Sequence, residues 1–362
     1  MRIAVWNTAF LGDSVLTLPL IRVLKAAYPD AEIDFYVRGG LASLYEGQPE
    51  LARVFNCDKR GSGKGLGAMF RQGREIRERG YDIWVSAHLS LRSSYMAWAS
   101  GARVRVGYSE AVLSSLAYTV RTSRRFGEMP EVERLLELAR ALGVPQELLK
   151  DEALCWPELV LPQSAHDEAD ALLASLPEGP TIGLHPGSVW PTKRWTAEGF
   201  AHVACRALDA GVNVILFAGP GENEAAADVR RLAGLESPEG QSGLSGRGGQ
   251  SRFLDLAGRT SLLFMAAVLG RLDGYVTNDS GPMHVAWAQH TPVTAMFGPT
   301  VESLGFFHRG EQSTVMQVAE PCRPCGKHGH KVCPQGHFRC MKNIDPEDVW
   351  RDVARKLPGV QE

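Results

Sequence analysis

Two kinds of hydrophobic pattern alternate along the chain. Short apolar runs rich in β-branched residues predict buried strands, and segments with apolar positions three or four residues apart predict amphipathic helices. In the first half the predicted strands are residues 2–6, 32–37, 82–86 and 103–107, and the predicted helices are residues 14–27, 66–79 and 130–142. In the second half the predicted strands are residues 181–185, 213–218, 274–277 and 292–297, and the predicted helices are residues 196–210, 222–233, 261–271, 282–289 and 346–356.

This alternation predicts the fold class. Strands that alternate with helices favour parallel sheets joined by right-handed crossovers, so we expect an α/β chain with one doubly wound domain in each half. The proline-containing stretch 151–179 predicts the connection between them. We therefore expect an N-terminal domain at residues 1–160, a C-terminal domain at 161–345 and a final helical segment at 346–362. Residues 237–251, rich in Gly, Ser and Gln, predict a mobile surface loop.

Charge and composition narrow the classes of function. The 362 residues carry a net charge of -2, which argues against a general nucleic-acid binder. Asp13 interrupts the apolar N-terminus and no small-residue cleavage site follows, so we expect a cytoplasmic protein without a signal peptide. Residues 1–150 contain 21 basic and 16 acidic residues, with much of the excess at residues 59–79. That segment is either a solvated helix face or a patch that meets an anionic surface such as phosphorylated lipid headgroups.

The turn after the first predicted strand contains a candidate carboxylate. Ligands of doubly wound sheets bind at the carboxyl ends of strands, and Asp13 follows strand 2–6 at such a point. Asp13 either caps the next helix or faces a cleft and accepts a proton. The turn lacks a Gly-x-Gly-x-x-Gly sequence, which argues against a nicotinamide dehydrogenase.

Three turns after strands of the second half together predict a nucleotide site. Backbone N–H groups at a Gly-Ser pair, a lysine and a helix start with proline in its first turn all suit phosphate, and an acidic residue suits ribose hydroxyls. The candidates are Ser188, Lys193, Glu222, Ser280, Gly281 and His284. Two alternatives stay open: Glu222 caps the next helix and has no binding role, or His284 packs in the core and has none.

Several motifs in a fixed order resemble the family 9 glycosyltransferases, the lipopolysaccharide heptosyltransferases, and most of all their type II. The motifs are Gly12-Asp13, Pro186-Gly187-Ser188, Lys193-Arg194-Trp195, Gly219-Pro220-Gly221-Glu222, residues 256–260, residues 278–284 and residues 297–300. The resemblance implies a GT-B architecture, in which two Rossmann-like domains face a central cleft. It places the acceptor on the N-terminal domain and the nucleotide sugar on the C-terminal domain, and it implies that the final helix crosses back to the first domain.

The resemblance also implies an activity. This is inverting transfer of L-glycero-D-manno-heptose from its ADP derivative to the lipid-linked inner core of lipopolysaccharide, by an enzyme peripheral to the anionic inner face of the cytoplasmic membrane. Asp13 would accept the proton of the acceptor hydroxyl, and Lys193 with the N–H groups near Ser280 and Gly281 would stabilise the leaving diphosphate. No cofactor and no metal at the donor site are expected, and no nucleic-acid partner. The family positions that line the donor site are matched by Ser188, Glu222, Asp279 and His284, and Arg92 is a candidate acceptor contact.

Alternatives remain at this stage. A family 9 glycosyltransferase with another nucleotide sugar or acceptor fits the same motifs, as does a nucleotide-binding Rossmann protein without transferase activity. A further question is posed by a cluster that consists of Cys322, Cys325, Cys333 and Cys340, interleaved with His328, His330 and His337. These residues would suffice for tetrahedral zinc or an iron–sulfur cluster, but reduced thiols or a local disulfide fit the spacing as well.

Overall fold

The computed structural model describes residues 1–58, 65–235, 251–307, 310 and 312–360. These residues form two compact units, Met1–Pro162 and Gln163–Glu362, which divide the chain beside the predicted boundary at residue 160. The predicted loop at 237–251 lies outside the described residues except for Ser251. The basic residues Lys59, Arg60 and Lys64 also lie outside them.

The first unit is a six-stranded parallel sheet with helices. Its strands are β1 (Arg2–Asn7), β2 (Glu32–Arg38), β3 (Arg53–Cys57), β4 (Ile83–Ser86), β5 (Val104–Tyr108) and β6 (Val120–Thr122), in the order β3-β2-β1-β4-β5-β6. Its helices are α1 (Leu11–Val15), α2 (Leu18–Ala27), α3 (Leu66–Glu78), α4 (Leu91–Ser100), α5 (Ser114–Ala117), α6 (Glu131–Ala141) and α7 (Glu152–Cys155).

The second unit repeats this plan. Its strands are β7 (Thr181–His185), β8 (Asn213–Leu216), β9 (Phe253–Asp255), β10 (Gly274–Asn278), β11 (Val293–Met296) and β12 (Thr314–Met316), in the order β12-β11-β10-β7-β8-β9. Its helices are α8 (Gln163–Leu173), α9 (Ala197–Asp209), α10 (Asn223–Leu232), α11 (Leu262–Leu269), α12 (Gly281–Ala288), α13 (Arg339–Lys342) and α14 (Pro346–Lys356). The predicted fold class, two doubly wound α/β units of GT-B type, is confirmed.

Each sheet has one topological switch point. The strand order reverses beside the first strand of each unit, because β1 pairs in parallel with both β2 and β4, and β7 pairs in parallel with both β8 and β10. Crevices that bind ligands form at such points, outside the carboxyl ends of the strands. Asp13 follows β1, whereas the candidate nucleotide residues follow β7, β8 and β10.

The central strands are buried on both faces. Residues 3–6 of β1 are fully buried, and Trp6 packs against Tyr36 and Trp84 with ring centroids 5.6 and 5.7 Å away. Helices on both sides of a parallel sheet cause this burial, which is why these strands read as continuous apolar runs rather than as alternating ones. The packed core fixes the strand ends that carry the candidate site.

Some elements differ from the sequence prediction. The predicted helix 14–27 is divided into α1, which begins earlier at Leu11, and α2, which carries Pro19 in its first turn. Four strands (β3, β6, β9 and β12), the longer helices α4 and α8 and the four-residue helices α5, α7 and α13 were not predicted. Helix α14 has its predicted bounds and packs against α9 in the second unit, and its return to the first unit stays a prediction. Within the part of the chain that the structure describes, no helix is long and apolar enough to cross a bilayer.

Candidate active site

The turn after β7 holds Lys193 against Asp279. Lys193 ends a short 3-10 helix, Pro191–Lys193, and its Nζ donates a hydrogen bond to Asp279 Oδ2 at 2.5 Å. Thr300 Oγ1 donates to the same carboxylate oxygen at 2.6 Å. Asp279 is only 5% exposed, so the ion pair is well shielded from water. A lysine ammonium has three donors, and those not used by Asp279 remain for an anion.

Asn278 ties the β7 turn to the end of β10. Its Nδ2 donates to the carbonyl oxygens of Pro186 and Gly187 at 2.9 and 3.2 Å, and its Oδ1 accepts the backbone N–H of Trp195 at 2.8 Å. The side chain is fully buried. Both ends of the amide are therefore used to fix the loop that carries Ser188 and Lys193, and Asn278 is a positioning residue.

The start of α12 presents polar side-chain atoms without a hydrogen-bond partner in the described part of the chain. Ser280 is the N-cap residue, but its side chain makes no capping hydrogen bond, unlike Thr196 at the start of α9. Ser280 Oγ and His284 Nδ1 are buried and have no hydrogen-bond partner among the described residues. The first N–H groups of a helix also lack intrahelical partners and carry a partial positive charge. Such unsatisfied groups suit the oxygen atoms of a phosphate.

His284 is neutral at pH 7. Burial lowers the pKa of its imidazole to about 4, with Lys193 acting in the same direction and Asp279 acting against it. A neutral ring offers one N–H donor and one acceptor, so His284 fits a hydrogen bond to a ligand rather than an ion pair.

Glu222 lies in a pocket formed by two glycines and a histidine. Its Oε2 accepts the backbone N–H of Gly219 at 2.9 Å and lies 2.9 Å from His185 Nε2, while Tyr275 OH lies 2.9 Å from His185 Nδ1. A Cβ on Gly187 would lie 2.1 Å from the same oxygen, so only glycine leaves room for it. Burial alone would raise the pKa of Glu222, but the His185 contact and the Gly219 N–H hold it below its ordinary value. Glu222 precedes α10, yet its side chain makes no capping hydrogen bond.

Asp13 occupies the third position of α1 in the first unit. The N-cap residue is Phe10, whose N–H donates to Asp13 Oδ2 at 3.1 Å, so the alternative in which Asp13 itself is the N-cap is wrong. The backbone carbonyl of Asp13 accepts from Asn7 Nδ2 and from Thr17 Oγ1 at 3.1 and 2.8 Å. These contacts fix the backbone of the candidate base and leave its second carboxylate oxygen for other partners.

The carboxyl of Asp13 has an elevated pKa. Burial raises it from 3.8 to about 6, and the charge of Glu131 adds to this, whereas the Phe10 N–H and Arg124 act in the opposite direction. Glu131 is itself held by Arg124 Nη2 at 2.8 Å and by Arg134 Nε at 2.6 Å. A carboxylate with a pKa near 6 is a stronger base than an exposed one and is still ionised at pH 7.5.

A match to a family model over most of the chain decides the family. The model of glycosyltransferase family 9 (heptosyltransferase) matches residues 69–335, which is most of the chain. The chain belongs to glycosyltransferase family 9. It is therefore a glycosyltransferase, and the resemblance found in its motifs is confirmed.

Individual family 9 members are similar to it over most of their length. Lipopolysaccharide heptosyltransferase 2 of Escherichia coli (strain K12) is 28% identical over 304 residues, which cover 83% of each chain. The crystal structure of a family 9 glycosyl transferase from Veillonella parvula matches with a TM-score of 0.81 and 25% identity, covering 98% of this chain and 96% of that one. The structure of E. coli ADP-heptose lipopolysaccharide heptosyltransferase II matches with a TM-score of 0.75 and 24% identity over 98% of each chain, which shows the shared fold.

The structure of this family 9 chain brings most of the predicted donor residues together at one edge of the second sheet. Lys193 contacts Asp279 directly, Ser280 and Gly281 begin α12, and Glu222 lies against the β7 turn that contains Ser188. Their roles toward a donor stay predictions.

Arg92 lies in the first unit, whereas the predicted donor residues lie in the second. It is part of α4, and its Nη2 donates to Gln72 Oε1 on α3 at 2.7 Å. Its contact with the acceptor stays a prediction.

Two groups of residues were missed by the sequence analysis. His185 with Tyr275 positions Glu222, and the charges of Arg124 and Glu131 act on the pKa of Asp13. His185 was recognisable as the polar residue that ends a buried strand. No local signal marks Arg124 and Glu131, because only the folded chain brings them near Asp13.

Proposed function

We propose that this family 9 glycosyltransferase moves heptose from ADP-L-glycero-D-manno-heptose to the inner core of lipopolysaccharide, with inversion at the anomeric carbon. The names of its relatives support the sugar and the acceptor. The observation that carries the proposal is the set of unsatisfied groups at the start of α12 beside the Lys193–Asp279 pair. That combination fits a diphosphate that gains charge as it leaves.

On the donor side, ADP would lie at the carboxyl edge of the second sheet. Lys193, Ser280 and the first N–H groups of α12 would bind the diphosphate, and these contacts strengthen as negative charge develops on the leaving oxygen. His284 would contribute a neutral hydrogen bond. Glu222 would accept hydrogen bonds from ribose hydroxyls, because its charge is maintained and its orientation is fixed by Gly219 and His185.

On the acceptor side, Asp13 would act as the general base. The acceptor hydroxyl forms a bond to the anomeric carbon from the face opposite ADP while the bond to the diphosphate breaks. The hydroxyl proton passes to the Asp13 carboxylate, and ADP leaves with the bonding electron pair. The transition state resembles an oxocarbenium ion, so proton transfer can come late and a carboxylate is sufficient.

The outer face of α3 supports contact with an anionic membrane. Leu66, Phe70, Arg74 and Arg77 recur at helical spacing, and all four are exposed. Apolar side chains beside arginines on one helix face are typical of helices that lie in the headgroup region. Peripheral association with the inner membrane face would bring the enzyme to a lipid-linked acceptor.

A donor panel tests the proposal. Purified protein is incubated with a truncated core acceptor and, separately, with ADP-heptose, ADP-glucose, UDP-glucose or GDP-mannose, and nucleotide release is measured with and without acceptor. We expect acceptor-dependent ADP release with ADP-heptose alone. Acceptor-dependent release from another sugar would assign a different donor, and no release from any of them would contradict transferase activity toward this acceptor.

A further inference from the structure

Lys193 and Asp279 form an ion pair although they lie on different loops of the second unit. Lys193 belongs to the turn after β7, and Asp279 follows β10, 86 residues further along the chain. Such a pair has a defined geometry only if other contacts hold the two loops relative to each other. Residues 323–330, called the 323–330 segment below, make contacts with both sides of this pair.

The 323–330 segment is bonded to the Lys193 turn through Thr192. Thr192 Oγ1 donates to the carbonyl oxygen of His330 at 2.9 Å and accepts the backbone N–H of His330 at 2.6 Å. The backbone N–H of Thr192 donates to the same carbonyl at 3.2 Å. The hydroxyl is therefore used both as a donor and as an acceptor. Thr192 is only 5% exposed, so water does not readily replace either bond.

Close packing beside Thr192 adds to these bonds. Trp190 stacks on His328 with ring centroids 6.3 Å apart. A Cβ on Gly329 would lie 2.6 Å from Trp190 Cβ and 3.0 Å from Lys193 Cγ, so only glycine allows this approach. The aliphatic part of the Lys193 side chain therefore lies directly on the 323–330 segment.

The other end of the segment holds the loop after β11. Arg323 Nη2 donates to the carbonyl oxygen of Thr300 at 2.9 Å. The backbone N–H of Cys325 donates to the carbonyl of Pro299 at 2.9 Å. The hydroxyl of Thr300 donates in turn to Asp279 at 2.6 Å. The segment is thus connected to Asp279 as well as to Lys193.

A hydrogen bond inside the segment joins its two ends. His330 Nε2 lies 3.0 Å from the carbonyl oxygen of Cys325, and because a carbonyl only accepts, the ring nitrogen carries the hydrogen. The contacts therefore form a closed ring, which runs through Lys193, Thr192, His330, Cys325, Pro299, Thr300 and Asp279. Because this ring links both loops, it fixes the Lys193 ammonium without any contribution from a ligand, and groups fixed in advance stabilise developing charge most effectively.

We propose that Thr192 and His330 are positioning residues that hold the Lys193 ammonium where the diphosphate of the donor binds. They do so by fixing the Lys193 turn to the 323–330 segment and, through it, to the loop after β11. Thr192 acts through Lys193 and needs no contact of its own with the donor. The ring of contacts does not depend on the proposed function, whereas its effect on the donor rests on the proposed role of Lys193.

Hydrogen–deuterium exchange of the ligand-free protein tests the ring. Thr192→Val removes both hydrogen bonds of the hydroxyl, and we expect amide exchange at residues 190–195 to become about tenfold faster. Thr192→Ser keeps the hydroxyl and should exchange as wild type does. The matched control is Thr291→Val, because Thr291 is also 5% exposed and its hydroxyl donates to the carbonyl of Leu269 at 2.6 Å, outside the ring. Unchanged exchange at residues 190–195 in Thr192→Val, or equal acceleration there in Thr291→Val, would overturn the proposal.

Calorimetry with ADP tests the effect on the donor site. Thr192→Val should weaken ADP binding by about three- to tenfold, and by no more than Lys193→Ala does. Thr192→Ser and Thr291→Val should bind ADP as wild type does. Added to Lys193→Ala, Thr192→Val should weaken binding no further, because both changes act through the same ammonium. His330→Ala opens the ring at the Cys325 contact and leaves Thr192 intact, so it should weaken ADP binding independently of how well Thr192→Val folds.

The outcomes separate the positioning role from the proposed function. Effects of Thr192→Val and Lys193→Ala that add in full would overturn the positioning role, as would wild-type ADP affinity in both Thr192→Val and His330→Ala. Wild-type affinity of Lys193→Ala would contradict the proposed donor role of Lys193 and the positioning effect with it, while faster exchange in Thr192→Val would still support the ring. Failure of heptosyl transfer by a protein with the expected ADP affinities would contradict only the proposed function.

Discussion

Asp13→Asn should slow catalysis and stabilise the protein at the same time. Asparagine retains an oxygen that can accept the Phe10 N–H, so the start of α1 is preserved. It cannot take a proton from the acceptor, and we expect turnover to fall by about 10²-fold or more. The pKa of Asp13 is raised from 3.8 to about 6, so the folded state resists its ionisation. At ~1.4 kcal/mol per pKa unit, ionisation of Asp13 above pH 6 lowers the free energy of unfolding by up to about 3 kcal/mol. Solvent screening at this half-buried side chain makes the effect smaller than that upper value.

The contribution of Asp13 to stability changes with pH in one direction. Because the folded-state pKa lies above the unfolded one, the stabilisation from protonated Asp13 is complete below pH 4 and is lost as the pH rises through 6. The variant should therefore unfold at higher denaturant concentration than wild type at pH 8, with the advantage disappearing toward pH 4. Wild-type kcat/KM should fall as the pH drops through about 6. Asp151→Asn, which alters the N-cap carboxylate of α7 in the first unit, serves as the control and should leave turnover intact. Near-normal turnover of Asp13→Asn, or a less stable variant at pH 8, would refute the reasoning.

Three further predictions concern the donor site and the membrane. Lys193→Ala should weaken ADP binding in calorimetry and lower kcat together, and unchanged values of both would move the diphosphate elsewhere. Glu222→Gln should weaken ADP binding by up to about tenfold by removing a charge-assisted acceptor, while the exposed Glu224→Gln should not, and equal affinities of the two variants would remove Glu222 from the ribose site. Changing Arg71, Arg74 and Arg77 together to Gln should raise the KM for full-length acceptor in anionic vesicles at low salt and leave ADP-heptose binding and thermal stability nearly intact. The rise in KM should disappear in high salt, where the Debye length falls below ~8 Å. Identical vesicle binding of variant and wild type at low salt would favour a merely solvated helix face.

The central strands were predictable and the outer ones were not, for a physical reason. The four missed strands are the edges of the two sheets, β3 and β6 in the first and β9 and β12 in the second. An edge strand is covered less than an interior one. Strands β6 and β12 have three residues each, and these residues are partly buried or exposed, so their sequences lack a continuous apolar run. The interior strands β1, β7 and β10 are covered on both faces and show that run clearly.

The candidate site was predictable where it depends on turns that directly follow strands. Lys193, Glu222 and Ser280 fall at such turns, so the carboxyl-end rule located them without a structure. Their mutual contacts were not predictable, since Lys193 and Asp279 are 86 residues apart and the environment of Asp13 depends on a distant helix. Sequence patterns report local periodicity, whereas the pKa of Asp13 results from tertiary packing.

The stereochemistry of the product tests the central claim most directly. Purified protein, ADP-heptose and a truncated core acceptor are allowed to react, and the anomeric configuration of the new linkage is determined by nuclear magnetic resonance for wild type and for Asp13→Asn. We expect a heptosylated product with the configuration inverted relative to the donor, and at most about 1% of that rate from the variant. A product with retained configuration, or full activity without the Asp13 carboxylate, would contradict the account.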